Sequence, residues 1–143
     1  MPVPDREAWQ ARWRSAGRDR FGVSAADVGE DFASFIVDLA YGDERDDDPL
    51  FASAALTYAS DIAALAAVSA RIDEEREQRN GTMSLHLNFV TPPSGKVTIE
   101  GRVSAWGTHD ALIDLTGRDE AARLVLRGLV AYSLRPRNAE AEA

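Results

Sequence analysis

The most distinctive chemical group in the sequence is one carboxylate, Asp61, in the middle of a long apolar stretch. Residues 51–72 read FASAALTYASDIAALAAVSARI and are dominated by Ala, Leu and Ile, which favour a helix of about six turns. The positions at helical spacing from Asp61 carry no charge, so no charged stripe keeps this carboxylate in water. A carboxylate in apolar surroundings has to be paired, hydrogen-bonded or protonated to the neutral acid, and such an acid suits acid–base chemistry. The alternative is that Asp61 reaches an edge of the helix, meets water or backbone, and has no further role.

The remaining reactive residues form no second catalytic motif. The chain has two histidines and no cysteine, and two isolated histidines do not make a zinc site, so we expect no metal site. The GxSxG, HExxH and GxGxxG signatures are absent from the sequence. Residues 94–96, Ser-Gly-Lys, follow two prolines and predict a hairpin turn rather than a phosphate-binding loop. His86 lies on the polar face of a predicted strand and His109 beside a turn, which suits surface or interface roles.

Charge and composition argue against several classes of function. The chain has 16 basic and 24 acidic residues and a formal net charge of −8, which opposes binding to nucleic acid or to an anionic membrane. The apolar stretch is nearly long enough to cross a bilayer, but it holds Asp61 at its centre and lacks a basic N-terminal flank. The first residues show no signal-peptide pattern, and the absence of cysteine fits a reducing compartment. We therefore expect a cytoplasmic protein with no nucleic-acid or membrane partner.

Two helices are predicted from the periodicity of the sequence. The first is a short amphipathic helix over about residues 5–16, with Trp9 and Trp13 packed on the body of the protein. The second is a central helix over about residues 52–72, with Ser53 as the residue that caps its N-terminus. The acidic stretch GDERDDDPL before it lacks the spacing of a calcium loop and predicts a solvated loop.

Strand signals occupy most of the remaining chain. A single turn is predicted at residues 24–28 and a first strand near 31–40, and Asn80 and Gly81 are expected to end the charged exit from the central helix. Four further strands are predicted at residues 82–90, 96–106, 109–115 and 122–134. Their connectors are short and turn-like, which indicates consecutive antiparallel hairpins.

The strand at residues 82–90 alternates between apolar and polar side chains. Its apolar set is Met83, Leu85, Leu87 and Phe89, and its polar set is Thr82, Ser84, His86 and Asn88. Alternation of this kind places one set on the core face and the other set on the opposite face.

These elements together predict an α+β architecture in which an antiparallel sheet wraps around one long helix. No internal repeat or second domain is evident, so we expect a single domain over residues 1–136. The tail at residues 137–143 has no apolar pattern and is predicted to be disordered.

The order of elements and two local phrases resemble hotdog-fold thioesterases. The phrase LTYASD at residues 56–61, followed by GTMSLHLNFVTPP at residues 81–93, is similar to acyl-CoA thioesterases of the TesB-like type, and the chain also resembles the PaaI-like branch. This resemblance implies a five-stranded antiparallel sheet around a central helix, and subunits that pair edge to edge in a homodimer or homotetramer. It implies hydrolysis of an acyl-CoA or acyl-carrier thioester without a cofactor.

The resemblance also implies roles for individual residues. Asp61 matches the helix acid that orients or activates water, and Thr82 matches the strand hydroxyl that holds it. Backbone amides near Ser53 and Ala54 would stabilise the oxyanion, and Tyr58 would wall the acyl pocket.

Two features of the pattern are missing from this chain. A glutamine of the last strand falls at or near Val130, and the HGG phrase before the helix is replaced by Ala-Ser-Ala at residues 52–54. These differences leave a second interpretation open, in which the protein is a non-catalytic hotdog protein that binds acyl thioesters or acts as a structural homo-oligomer.

Overall fold

A computed structural model describes residues 5–13, 21–40, 49–93 and 95–137. The elements are α1 (Arg6–Arg12), β1 (Val23–Val28), β2 (Phe32–Asp38), α2 (Pro49–Arg71), β3 (Glu77–Phe89), β4 (Lys96–Trp106), β5 (Asp110–Asp119) and β6 (Leu124–Pro136). This α+β arrangement of a sheet, one long helix and a short N-terminal helix confirms the predicted class. The end of the predicted first helix, most of the acidic loop and the predicted tail beyond residue 137 lie outside the described residues.

The strands form one antiparallel sheet of six strands in the order β1-β2-β4-β5-β6-β3, one strand more than predicted. The extra strand is β1, at the position where the sequence predicts a single turn. That prediction is wrong because β1 pairs along the edge of β2, from Val23 opposite Val37 to Val28 opposite Ala33. Cross-strand pairing and burial of Val23 and Val28 outweigh the weak strand propensity of the intervening residues.

The predicted hairpin between β3 and β4 is also wrong. Strand β4 already lies between β2 and β5, so it has no free edge for β3. Instead β3 pairs with β6, from Glu77 opposite Pro136 to Phe89 opposite Leu126. The amide of Val90 continues this ladder to the carbonyl of Val125 at 2.7 Å. The hairpins β4–β5 and β5–β6 are as predicted.

Helix α2 packs closely on the sheet because both surfaces carry small residues. Its buried side chains are mostly alanines, namely Ala55, Ala59, Ala63, Ala64, Ala66, Ala67 and Ala70. On β4, a Cβ added at Gly101 would lie 2.9 Å from the backbone of Ala63. This contact is too close for a residue with a side chain, so the position favours glycine. The helix begins at Pro49, so Ser53 lies in its second turn, and the prediction that Ser53 caps the helix is wrong.

The N-terminal half of α2 is not covered on all sides by the described residues. Leu50 is 80 % exposed, Ser53 and Ala54 are exposed, and Tyr58 and Asp61 are partly buried. Length and composition alone would allow residues 50–71 to cross a membrane, but half of the most apolar window is buried in the protein, and core helices of soluble proteins pass the same test.

Helix α1 holds its tryptophan against the core, as predicted. The Asp5 carboxylate accepts a hydrogen bond from the Ala8 amide at 3.0 Å and caps the helix. Trp9 is 6 % exposed, and its ring meets Phe35 of β2 edge-on at 5.6 Å between centroids. This contact covers the outer side of the sheet–helix core near the β1–β2 edge.

Candidate functional site

The two residues expected to carry the chemistry meet between α2 and β3. The Thr82 hydroxyl donates a hydrogen bond to Asp61 Oδ1 at 2.7 Å. Asp61 is partly buried and Thr82 is exposed, so the pair can be reached from solvent. The second oxygen of Asp61 has no hydrogen-bond partner among the described residues. This arrangement gives a held carboxylate with one oxygen available to a small molecule such as water.

A β-bulge turns Thr82 toward the helix. Simple alternation along β3 would place Thr82 on the same face as Ser84, away from the side that carries Leu85. The register instead shifts between Thr82 and Ser84, so that Thr82 pairs with Tyr132 and Met83 is the extra residue. One inserted residue moves the flanking side chains to opposite faces. The predicted face of Thr82 is therefore wrong, although its predicted proximity to Asp61 is found.

A second register shift precedes Thr82. It falls between Arg79 and Gly81, and Gly81 has φ +103°, a conformation that favours glycine. The extra residue, Asn80, donates from its side-chain amide to the Ser133 hydroxyl at 3.1 Å. The prediction that Asn80 and Gly81 end the exit from the helix is wrong, because both lie inside β3 and shape the bulged segment around Thr82.

Tyr132 is a residue near the pair that the sequence analysis missed. It is 4 % exposed and pairs across the sheet with Thr82. Burial is the largest effect and raises the pKa of Tyr132; the charge of Arg79 opposes it, and the negative charge of Asp61 adds a smaller increase. The phenol therefore stays neutral at physiological pH. A tyrosine in an apolar strand looks like core, so the sequence carries no signal for this position.

The residue expected near the missing glutamine contributes to the core instead. Val130 is fully buried and lies opposite Leu85, one residue pair beyond the bulge. Its side chain fills the sheet–helix interior and provides no polar group. Tyr132, two positions further along β6, is the polar side chain of this strand nearest in register to Thr82.

The other predicted site residues lie on the same helix but further from the carboxylate. Tyr58, one turn before Asp61, packs against Phe21 with 4.9 Å between ring centroids. Ser53 and Ala54 lie about two turns away, roughly 10 Å along the axis. Because these two are in the second turn of α2, their amides point to carbonyls four residues earlier, within the helix. The structure therefore brings together Asp61, Thr82 and Tyr132, but not the expected oxyanion amides.

His86 and His109 are both exposed. His86 pairs with Leu129 on β6, one position from the buried Val130, so it lies on the outer face of the sheet. The surface role suggested for His86 agrees with this position.

Comparison with known proteins identifies the fold. No family model matches the chain, and no curated protein matches its sequence. A probable thioesterase from Pseudomonas aeruginosa, described as a protein of unknown function, superposes with a TM-score of 0.76 at 19% identity over 95% of this chain and 98% of that one. A thioesterase from Haemophilus influenzae gives 0.72 at 17% identity, over 94% and 93%.

The PaaI protein of the Escherichia coli phenylacetic acid degradation operon gives a TM-score of 0.65 at 14% identity, over 88% of this chain and 93% of that chain. At these identities the likeness shows the fold. The chain has the hotdog fold of these thioesterases.

Proposed function

We propose that this protein is a thioesterase that hydrolyses an acyl-CoA or acyl-carrier thioester. The observation that carries the proposal is the 2.7 Å hydrogen bond from Thr82 to Asp61 on the central helix, in a fold whose solved neighbours are named thioesterases. A carboxylate reachable from solvent and held by a hydroxyl is suited to general-base catalysis.

In the proposed mechanism, Asp61 activates a water molecule. Thr82 donates to Oδ1 and fixes the carboxylate, and Oδ2 takes a proton from the water as its oxygen attacks the thioester carbonyl carbon. The tetrahedral intermediate collapses, the carbon–sulfur bond breaks, and the leaving sulfur receives the proton from the Asp61 carboxyl. The products are a carboxylic acid and a free thiol, and Asp61 returns to its ionised form.

We place the substrate along the exposed face of α2. This face runs from Ser53 and Ala54 past Tyr58 to Asp61, and Tyr58 with its aromatic neighbour Phe21 would form one wall of the acyl pocket. The amides of Ser53 and Ala54 point along the helix, so we assign these two residues to contact with the substrate and not to the oxyanion. Stabilisation of the oxyanion then requires a donor from another segment or from a second subunit.

We further propose that two subunits pair through β3. This 13-residue strand is an edge of the sheet, and unpaired strand edges are templates for association. Apolar side chains are exposed along it and just after it, with Met83 57 %, Phe89 46 % and Val90 57 % exposed. A second copy on this edge would cover these residues and enclose the open face of α2. Leu129 is 41 % exposed on the outer face and would take part in a second interface if two dimers form a homotetramer. We propose that the protein acts in the cytoplasm.

Two observations favour the second candidate, a non-catalytic protein that binds acyl thioesters or serves as a structural homo-oligomer. The strand position expected to hold a glutamine is the buried Val130, and the amides of residues 53 and 54 are within the helix. Without an oxyanion donor, the Asp61–Thr82 pair would only anchor β3 to α2.

The test is release of free thiol from a panel of short-chain, long-chain and aromatic acyl-CoAs and acyl-carrier thioesters. We expect the native protein to hydrolyse at least one of them, and Asp61→Asn to lower kcat/KM by at least about tenfold, since the amide cannot take a proton. Asp114→Asn, the same change at an exposed position on β5, is the control and should retain activity. Binding of intact thioester without thiol release would instead support the non-catalytic candidate.

A further inference from the structure

The contact between α2 and β3 continues beyond the pair formed by Asp61 and Thr82. Nearer the C-terminus of the helix, Arg79 of β3 donates from Nη1 to the Ser69 hydroxyl at 3.4 Å. Ser69 lies about two turns, roughly 12 Å, beyond Asp61 along the helix axis. The two contacts define one seam between α2 and β3, with a carboxylate at one point and a guanidinium further along it.

A cavity of about 250 Å³ lies where α2 ends and β3 begins. Its lining residues are Ile72, Glu74, Glu77, Gln78, Arg79 and Arg137. Arg79 both contacts Ser69 in the seam and lines the cavity, so its side chain connects the two.

The carboxylates of this cavity already have partners, whereas the guanidinium groups keep donors to spare. Glu74 accepts from Arg79 Nη1 at 3.0 Å, and Glu77 accepts from the indole N–H of Trp106 at 3.0 Å. Arg137 uses only its Nε, which donates to the Glu74 carbonyl. Within the part of the chain that the structure describes, the other side-chain N–H groups of Arg79 and Arg137 have no partner.

Free guanidinium donors at one cavity are suited to a phosphate, whose oxygens accept several N–H groups at once. The formal charges of the two arginines and two glutamates in the lining cancel, so recognition would rest on directed hydrogen bonds. The whole chain, with a net charge of −8, gives an anion no general attraction. A phosphate on this protein therefore has to be held by local donors of this kind.

The position of the cavity relative to Asp61 fits the shape of a pantetheine thioester. The cavity lies two to three turns beyond Asp61 along the helix, on the order of 15 Å, which the extended pantetheine arm between a thioester sulfur and its phosphate can span. The two ends of the face also differ in character. Aromatic rings lie on the Tyr58 side of Asp61, and free cationic donors lie on the Arg79 side.

We propose that the cavity between Arg79 and Arg137 is a phosphate site, which holds the phosphate at the end of the pantetheine arm of the substrate. This inference deepens the proposed thioesterase function and rests on it for the orientation of the substrate. The acyl group then points toward Tyr58, the thioester lies at Asp61, and the phosphate lies at the two arginines. Coenzyme A and an acyl-carrier protein both present this phosphate ester.

The first test is binding to the native protein, measured by titration calorimetry, which requires no catalysis. The ligands are pantetheine, 4′-phosphopantetheine and coenzyme A. We expect the phosphate to tighten binding by about tenfold or more from the first ligand to the second, because it adds charge-assisted hydrogen bonds. A further gain with coenzyme A would identify it as the source of the phosphate, and equal affinities would identify the carrier protein. Equal binding of pantetheine and phosphopantetheine would overturn the inference.

The decisive variant is Arg137→Gln, since Arg79→Gln would also leave the Glu74 carboxylate without its partner. We expect Arg137→Gln to lower the affinity for phosphopantetheine by about tenfold and to leave that for pantetheine within about twofold. Arg76→Gln is the matched control, because Arg76 belongs to the neighbouring turn, is 83 % exposed and does not line the cavity. It should bind both ligands as the native protein does. An Arg137→Gln variant that binds phosphopantetheine as tightly as Arg76→Gln would contradict the phosphate site.

The second test is kinetic and separates the phosphate site from the proposed function. For a thioester that the native protein cleaves, we expect Arg137→Gln to raise KM for the acyl-CoA by about five- to tenfold with kcat within about twofold, and to leave the matching acyl-pantetheine unaffected. Equal effects on both substrates would overturn the inference. If the native protein cleaves no thioester, the proposed function fails, and the binding results still decide whether the cavity holds a phosphate.

Discussion

Asp61 differs from the ion-paired acids of the described chain in the kind of partner it has. Six carboxylates, such as Asp31 with Arg71 and Glu74 with Arg79, are within 4 Å of an arginine. Asp61 instead accepts a neutral hydroxyl. An arginine at this position would occupy the oxygens that accept a proton from water in the proposed mechanism, whereas a hydroxyl orients one oxygen and leaves the other accessible.

Asp61 could be identified from the sequence because an acid in an alanine-rich helix is unusual. Thr82 could be identified because the sequence around it resembles a known family pattern. Tyr132 could not be identified, since a tyrosine among valines and leucines is typical of a strand core. The face of Thr82 could not be predicted either. A bulge depends on pairing with a distant strand, and its only local sign is a glycine.

Asp119 provides a test of the structure that is independent of the site. Its carboxylate accepts hydrogen bonds from the Arg123 amide at 2.9 Å, the Arg123 side chain at 2.9 Å and the Ala121 amide at 2.9 Å. The backbone hydrogen bond from Arg123 is the largest cause that lowers the pKa of Asp119. The folded protein therefore favours the ionised form, which adds stability above the usual aspartate pKa and loses it as the pH falls through the lower folded value.

We accordingly expect Asp119→Asn to reduce the free energy of unfolding at pH 7, and the difference from the native protein to shrink as the pH falls below the usual aspartate pKa. Urea denaturation at pH 7 and at acidic pH measures this difference in the free energy of unfolding. The matched change Asp114→Asn, on the same strand, controls for loss of a negative charge. A difference that is as large in acid as at neutral pH would contradict this account of the β5–β6 turn.

At the level of elements, the two helices, β2 and the last three strands were predictable because their periodicity is local and strong. The predictions from sequence were wrong for strands whose position depends on the strand they pair with. Strand β1 is short and weakly patterned and forms along β2. Strand β3 pairs with β6 because β4 has no free edge, which no local turn signal reveals.

The close packing of α2 on β4 predicts that even a small added side chain at the contact lowers stability. In Gly101→Ala the new methyl group would lie 2.9 Å from the carbonyl of Ala63 and 3.2 Å from the Ala64 amide, so helix and sheet must move apart. We expect a loss of about 1–3 kcal/mol in the free energy of unfolding, as for overpacked cores. Chemical denaturation measures it, and a variant within about 0.5 kcal/mol of native would show that α2 does not rest on the β4 backbone.

At the level of the whole molecule, the open edge at β3 and the open face of α2 are on the same side of the structure, where Thr82 meets Asp61. A monomer would leave this site and its apolar border in water, although large exposed apolar patches generally mark interaction surfaces. The proposed association through β3 would account for both features at once.

We expect the native protein to have about twice the 15.6 kDa mass of one chain, or a higher multiple, by light scattering at micromolar concentration. Val90→Lys should shift it toward the monomer, since a charge would be buried in the interface. Leu129→Lys, at an exposed apolar residue on the outer face, should preserve the dimer and prevent only a tetramer. A native protein that is monomeric under these conditions would contradict pairing through β3.

The central claim is that Asp61 and Thr82 act as one unit on one water molecule, and a double-mutant cycle tests it most directly. The measurement is kcat/KM for thioester hydrolysis by the native protein, Asp61→Asn, Thr82→Val and the double variant, with Thr98→Val as the exposed matched control on β4. We predict losses of about tenfold or more for each single variant and a double variant no worse than Asp61→Asn, because residues of one catalytic unit are not additive. Losses that multiply independently, or a Thr82→Val variant as active as Thr98→Val, would contradict the claim.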